Sequence, residues 1–303
     1  MKKFKTIIMT VVLLWLGAYA LSFIIGDRVG GEIVSEGIAI VPIHGAIVIN
    51  DVQNIFGVNA IGSDTILENL KKARTNKGVK VVILEINSGG GAVVASKEVA
   101  DYVKKLKEEK PVIAWIREVG ASGAYWIAAS SDVIVADEMS ITGSVGVISS
   151  YLDYSGLMEK YGVKYERLVA GEFKDTGNPF RELSSEERRM MEAKLRLIQD
   201  FFVKDVQKSR NLNINQVNEI KKGFFYLGVE AKDLGLVDVL GNKETAVSKA
   251  KELGNISDGS IVEYKAKKSI LDLLERFGIQ IFFSMGRGIG REIKVEEEFK
   301  ILA

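Results

Sequence analysis

Three clusters of small and polar residues stand where strands should end, and each holds a group that could do chemistry. In Gly120-Ala121-Ser122-Gly123-Ala124 the neighbours are small enough for Ser122 to sit on a sharp turn with its Oγ exposed. The pattern is one residue short of the G-x-S-x-G nucleophile elbow, and it equally fits a serine that only begins and caps a helix. In Asn87-Ser88-Gly89-Gly90-Gly91 the glycines let backbone N–H groups face an anion or a developing oxyanion at a helix start. An ordinary tight turn from strand to helix would use the same residues. The third cluster, Gly171 to Pro179, carries Lys174 in a loop, where a lysine is normally a solvated charge.

The inventory of the 303 residues removes other chemistries. There is no cysteine, so thiol nucleophiles, disulfides, iron–sulfur clusters and Cys/His zinc sites are excluded; no metal or other cofactor is expected. The single histidine, His44, is the only imidazole a serine triad could use. It lies in an apolar strand, where a lone histidine is most often a packing or surface residue. The balance of 41 Lys plus Arg against 40 Asp plus Glu gives no global pull toward nucleic acid. An apolar content of 47% is ample for the core of one large domain or two smaller ones.

The elements that must position these clusters alternate. Apolar, β-branched runs at Ile38 to Ile49, Val79 to Ile86, Pro111 to Ile116, Val133 to Ala136 and Val163 to Val169 predict strands. Helical periods at Asp64 to Ala73, Val93 to Leu106, Ala124 to Ser130 and Tyr154 to Tyr161 fill the gaps. Buried strands alternating with helices predict an α/β domain with a largely parallel sheet. Ser184 with Glu187 forms a capping box, and Met191, Leu195, Ile198 and Phe202 recur at helical spacing through a long helix over 184–211.

At the amino terminus, Ile7 to Ile25 is a run of 19 uncharged residues behind Lys2, Lys3 and Lys5. As a helix it reaches about 28 Å, close to the thickness of a bilayer core. The lysines before it predict a single-pass anchor in the cell membrane, residues 1–25, with the amino terminus cytoplasmic and the remaining chain extracytoplasmic. Ala18-Tyr19-Ala20 resembles a signal-peptide cleavage site, but Leu21 to Ile25 prolongs the apolar run beyond it, which favours an uncleaved anchor. Residues 26–37 read as a polar, Gly-rich tether. At the other end, Ser269 to Phe277 is an amphipathic helix candidate and Ile279 to Met285 is apolar but too short to span; this stretch packs, or contacts the membrane surface or a neighbouring subunit.

Taken in order, Asn87 to Ser96, Gly120 to Ala128, Thr142 to Val147, Gly171 to Arg188 and Gly235 to Asp238 resemble the signal peptide peptidase A family, membrane-anchored serine peptidases of the Clp protease/crotonase-like fold with its repeated ββα units. The resemblance runs from about Ile38 to Ala250, with residues 251–303 as a carboxy-terminal extension. Gly89 departs from the family's usual proline, and Ala124 from a frequent glycine. The resemblance implies a Ser-Lys dyad: Ser122 as nucleophile, Lys174 as general base, and Ser144 as the hydroxyl that orients the lysine. Gly90 or Gly91, with Gly123, would supply the backbone oxyanion hole. A lysine acts as a base only as the free amine, which requires a lysine pKa about three units below the ordinary value, about 4 kcal/mol of desolvation and neighbouring dipoles.

The implied activity is endopeptidase cleavage, through an acyl-enzyme, of signal peptides left in the membrane and of other misplaced peptides. The implied partners are those peptides, the lipid bilayer and further copies of the chain, in a homo-oligomeric ring where Ser122 of one subunit meets Lys174 of its neighbour. Three rival readings remain. In a Clp-type Ser-His-Asp site the histidine follows the serine, whereas His44 precedes Ser122. An acyl-CoA enzyme of the same fold conflicts with export, and an inactive membrane scaffold would leave Ser122 unreactive.

Overall fold

The computed structural model describes residues 9–19, 37–51, 60–257 and 259–264. Residues 9–19 are helical (α1) and exposed. Among the described residues no helix is long and apolar enough to cross a membrane. The rest of the expected anchor, the tether as far as residue 36, and the carboxy-terminal segments at 269–277 and 279–285 lie outside the described residues.

The expected parallel sheet forms the body. Its strands are β1 (Gly37–His44), β4 (Val79–Ser88), β5 (Val112–Ala121), β6 (Val133–Ala136), β9 (Val239–Leu240) and β10 (Ser260–Glu263), in the order β10-β1-β4-β5-β6-β9 and parallel throughout. Strands β7 (Ile141–Gly143) and β8 (Phe225–Leu227) extend it beside the end of β5, and β2 (Ala46–Val48) pairs with β3 (Ala60–Gly62) as a small second sheet. Because β10 lies against β1, the body continues past residue 250 as far as Tyr264.

The central strands are apolar on both faces because both are covered. On one side lie α2 (Ser63–Thr75), α3 (Val93–Leu106) and α4 (Gly123–Ala129), packed against Val41, Leu84, Ile86 and Ala114. On the other, α9 (Lys243–Gly254) sets Ala246 and Ala250 on Ile38, Ile40, Val81 and Ile83. Helix α4 is buried along its whole length. Trp126 on it stacks on Phe202 at 4.4 Å and donates its indole N–H to Asp205 at 2.9 Å. Both partners belong to the long helix α6 (Ser185–Arg210), which begins at the expected Ser184/Glu187 capping box and ends at Asn211.

Two expectations change. The run Ile38 to Ile49 is broken at Gly45, whose φ of +81° turns the chain between β1 and β2. Val163 to Val169 is not a strand: it is exposed along its whole length and pairs with no strand among the described residues. It belongs to an arm that includes the short helix α5 (Ser155–Lys160), none of whose residues is buried. Helices α7 (Ile214–Ile220) and α8 (Gly228–Asp233) connect α6 back to the sheet.

Candidate active site

Sites in parallel α/β sheets gather at the carboxyl ends of the strands, and two of the three singled-out clusters, those of Ser122 and of the triple glycine, are there. Ser122 directly follows β5 and directly precedes α4. Its φ of +54° and ψ of −127° are far from ordinary L-residue backbone, a conformation costing about 1–3 kcal/mol that persists only where surroundings impose it. Two backbone bonds impose it here: the Ser122 amide donates to the Gly143 carbonyl at 2.9 Å, and the Ser122 carbonyl accepts from the Trp126 amide at 3.0 Å. Although it sits at the helix start, its side chain accepts no capping bond. The capping alternative is therefore overturned: Ser122 occupies a strained strand-to-helix elbow, half-buried, with its hydroxyl uncommitted among the described residues.

The triple-glycine loop lies directly against that elbow. A side-chain carbon on Gly90 would fall 2.7 Å from the Gly123 amide and 2.9 Å from the Ser122 Cβ, and φ at Gly90 is +97°. Only glycine allows this approach. The loop is fixed from behind by β2, where the Ile47 amide donates to the Gly90 carbonyl at 3.0 Å and the Ile47 carbonyl accepts from Ala92 at 2.8 Å. These contacts separate the two glycines that the sequence left as alternatives. The Gly90 amide already donates to the Ser88 hydroxyl at 3.1 Å, whereas the Gly91 amide is not used in its bridge to Ile47. The Gly123 amide, first in α4, has no partner in the helix ladder. A side-chain carbon on Gly123 would lie 3.5 Å from the Gly91 amide nitrogen, so the two amides are close neighbours.

Ser144 is beside Ser122. Strand β7 runs parallel to the end of β5 with Ala121 opposite Gly143, so the two serines leave the sheet together. Ser144 also has positive φ, +51°; its amide donates to the Phe224 carbonyl at 2.9 Å and its hydroxyl reaches the Gly223 carbonyl at 3.5 Å.

Lys174 is elsewhere. It is exposed, on the arm, and no hydrogen bond joins it to Ser122 or Ser144 within the chain. Among the described residues the hydrogen bonds of residues 153–183 all end within residues 153–187, as in Tyr154 to Pro179, Asn178 to Tyr165, Arg167 to Asp175 and Arg181 to Glu187. One chain thus holds the serine, the nearby Gly91 and Gly123 amides and Ser144 in its body, and presents the lysine on a separate arm. His44 is not part of this group. It shares the α9 face of β1 with Ile38 and Ile40, and its Nε2 lies 3.2 Å from Glu85 Oε1, the carboxylate that also accepts from Arg117 at 3.0 Å.

Residues 104–257 match peptidase family S49. A protein of Methanocaldococcus jannaschii named as a protease is 39% identical over 74% of this chain and 71% of its own length. The chain belongs to peptidase family S49. A protein of Enterococcus faecium named as a signal peptide peptidase SppA is 38% identical over 74% of the chain and 65% of its own length. Protease 4 of Haemophilus influenzae is 33% identical over 78% of the chain, which spans only 38% of that relative. Among solved structures, a membrane-bound stomatin-specific protease superposes over 77% of this S49 chain with a TM-score of 0.49 at 15% identity.

The sequence missed one feature of the S49 arm. Asp175, Arg167, Arg181 and Glu187 form a single ion-pair cluster beside Lys174. Asp175, Arg181 and Glu187 stand within the motif Gly171 to Arg188 and Arg167 in the expected strand before it, but their convergence depends on how the loop folds back to α6.

Proposed function

We propose that this protein is a membrane-anchored serine endopeptidase that hydrolyses residual signal peptides and other membrane-associated peptides through an acyl-enzyme, in a ring whose sites take Ser122 from one copy and Lys174 from the next. The observation that carries the reading is the strained, uncommitted Ser122 beside the neighbouring amides of Gly91 and Gly123. The site at the carboxyl ends of a parallel sheet also supports the Clp protease/crotonase-like fold.

Chemically, Ser122 Oγ attacks a peptide carbonyl while the Lys174 amine takes its proton, and the carbonyl oxygen becomes an anion held by the Gly91 and Gly123 amides. Collapse of that intermediate breaks the C–N bond, and the lysine proton passes to the leaving amine. Water, deprotonated in the same way, then releases the acid and regenerates Ser122. Ser144, leaving the sheet beside Ser122, orients the amine. The donation of Lys174 by a neighbour is supported by an arm whose hydrogen bonds reach no further than the start of α6 and by a Lys174 side chain that has no hydrogen-bond or ion-pair partner among the described residues. An apolar peptide seldom leaves its bilayer, which suits an anchored enzyme; the lysines at 2, 3 and 5 favour an extracytoplasmic catalytic domain.

Co-assembly tests the shared site. Ser122→Ala and Lys174→Ala are each expected to be inactive alone, and mixed assemblies to regain part of the peptidase activity with one working pairing per mixed contact. Mixtures that stay inactive while still oligomeric would rule out sharing. Absence of labelling of the parent Ser122 by a fluorophosphonate would rule out the peptidase and favour a scaffold.

A further inference from the structure

We propose that Arg181 is a positioning residue for Lys174: it ties the lysine's loop to the start of α6 and, together with Arg167, cancels the charge of the carboxylate next to that lysine. The inference rests on Lys174 being the general base.

Apart from the contacts of Phe180 with Tyr154 and Tyr165, the arm holding Lys174 has little burial to give it shape. Helix α5 buries no residue, and residues 163–172 are exposed throughout. Within this open segment Asp175 is 12% exposed, Arg181 21% and Glu187 only 4%. Arg181 forks onto Asp175 through Nε at 2.9 Å and Nη2 at 3.0 Å. The same guanidinium donates to both oxygens of Glu187, at 2.9 Å from Nη1 and 2.5 Å from Nη2. Glu187 also accepts from Thr176 Oγ1 at 2.9 Å and from the Ser184 amide at 2.9 Å, the latter as half of the capping box of α6. Single exposed ion pairs contribute little. A doubly bidentate arginine between two nearly buried carboxylates is different, because its planar fork fixes direction as well as distance.

The second half of the argument is charge. Lys174 is flanked by two carboxylates, Glu172 on its own loop and Asp175 as its chain neighbour. A carboxylate left free beside a lysine stabilises the ammonium and so opposes a base role. Asp175 is instead taken by Arg181 and by Arg167, which donates from Nε at 2.9 Å and Nη2 at 2.7 Å, and whose Nη2 also holds the Glu172 carbonyl at 2.6 Å. Counting Arg167, Arg181, Asp175 and Glu187, which reaches in from α6, the cluster is neutral. Lys174 makes no ion pair with either neighbour.

The test uses the full chain, assembled in detergent, with an internally quenched apolar peptide and kcat and KM measured across pH. Arg181→Met leaves a net negative cluster, so the ammonium is favoured and the free amine appears at higher pH. Its kcat/KM at neutral pH should fall about tenfold with KM nearly unchanged, and the acid limb should move up by about half a pH unit or more. Adding Asp175→Asn to Arg181→Met should return the limb to the parent position. Asp175→Asn alone should move it the other way, and Arg181→Lys, which keeps charge but not the fork, should lower kcat with the limb in place. A merely structural arginine would lower activity without moving any limb. Either an Arg181→Met enzyme within about twofold of the parent, or unmoved limbs in both Arg181→Met and Asp175→Asn, overturns the proposal; if Arg181→Met does not assemble, Asp175→Asn and Arg181→Lys decide. Full activity in Lys174→Ala would instead remove the dyad on which it rests.

Discussion

Strain at the site is carried by residues that are not glycine. Ser122 and Ser144 both have positive φ, and they are linked, since the Ser122 amide donates to the carbonyl of Gly143, the residue before Ser144. Gly90, pressed against the elbow, allows that geometry to exist. Gly90→Ala should therefore reduce kcat/KM by about a hundredfold or more, since its methyl would strike the Gly123 amide and the Ser122 side chain. Gly89→Ala, with nothing within 4 Å, should stay within about twofold. Steady-state kinetics on the two variants checks this, and equal losses would contradict the assigned geometry. At this scale the sequence showed which residues could act, but not which amide was free. Ser122 reads as a cap or as a nucleophile until φ is known, and Gly90 and Gly91 are equivalent until the Ser88 hydroxyl is seen to occupy one of them.

Among elements, the junction of arm and α6 governs where Lys174 goes. Hydrogen bonds from Arg167 and then Arg181 hold the Asp175 carboxyl well below the usual carboxylate range, and Arg181 with the Ser184 amide does the same for Glu187. A carboxyl whose folded pKa is depressed stabilises the fold fully above its unfolded value, about 4, and loses that contribution as pH falls through the folded value. Hydrogen exchange across residues 171–187, corrected for intrinsic rates, should accordingly stay protected from pH 7 down through about pH 4 and rise only below it. Glu187→Gln should expose the same amides at neutral pH; loss of protection in the parent at pH 5 would be inconsistent with this account. Long elements such as β4 and α3 were legible because their periods are unambiguous and the apolar surface they carry is covered within one chain. Val163 to Val169 carries the same β-branched signal, but pattern alone cannot say where a covering surface comes from. The brief β7 and β8, three residues each, were too short to leave a period.

At the scale of the molecule, the body and the arm differ in what they have buried. The body closes two layers over its sheet, while the arm leaves Ile148 90%, Leu168 95% and Tyr161 71% exposed, with Leu157 and Val163 more than half open. So many large apolar side chains left open on one segment are what a surface awaiting a partner would show. With the serine in the body and the lysine on the arm, a second copy would both cover that surface and complete the dyad under the proposed function. Activity should then depend on assembly in a way that a self-contained site would not. On dilution of detergent-solubilised protein through the range where sedimentation shows rings separating into monomers, turnover per subunit should fall by about tenfold or more. Cross-linked rings diluted equally should keep their rate. Constant turnover per subunit in a population shown to be monomeric would mean that Lys174 reaches Ser122 within its own chain, by a swing of the arm at Arg181 and Glu187.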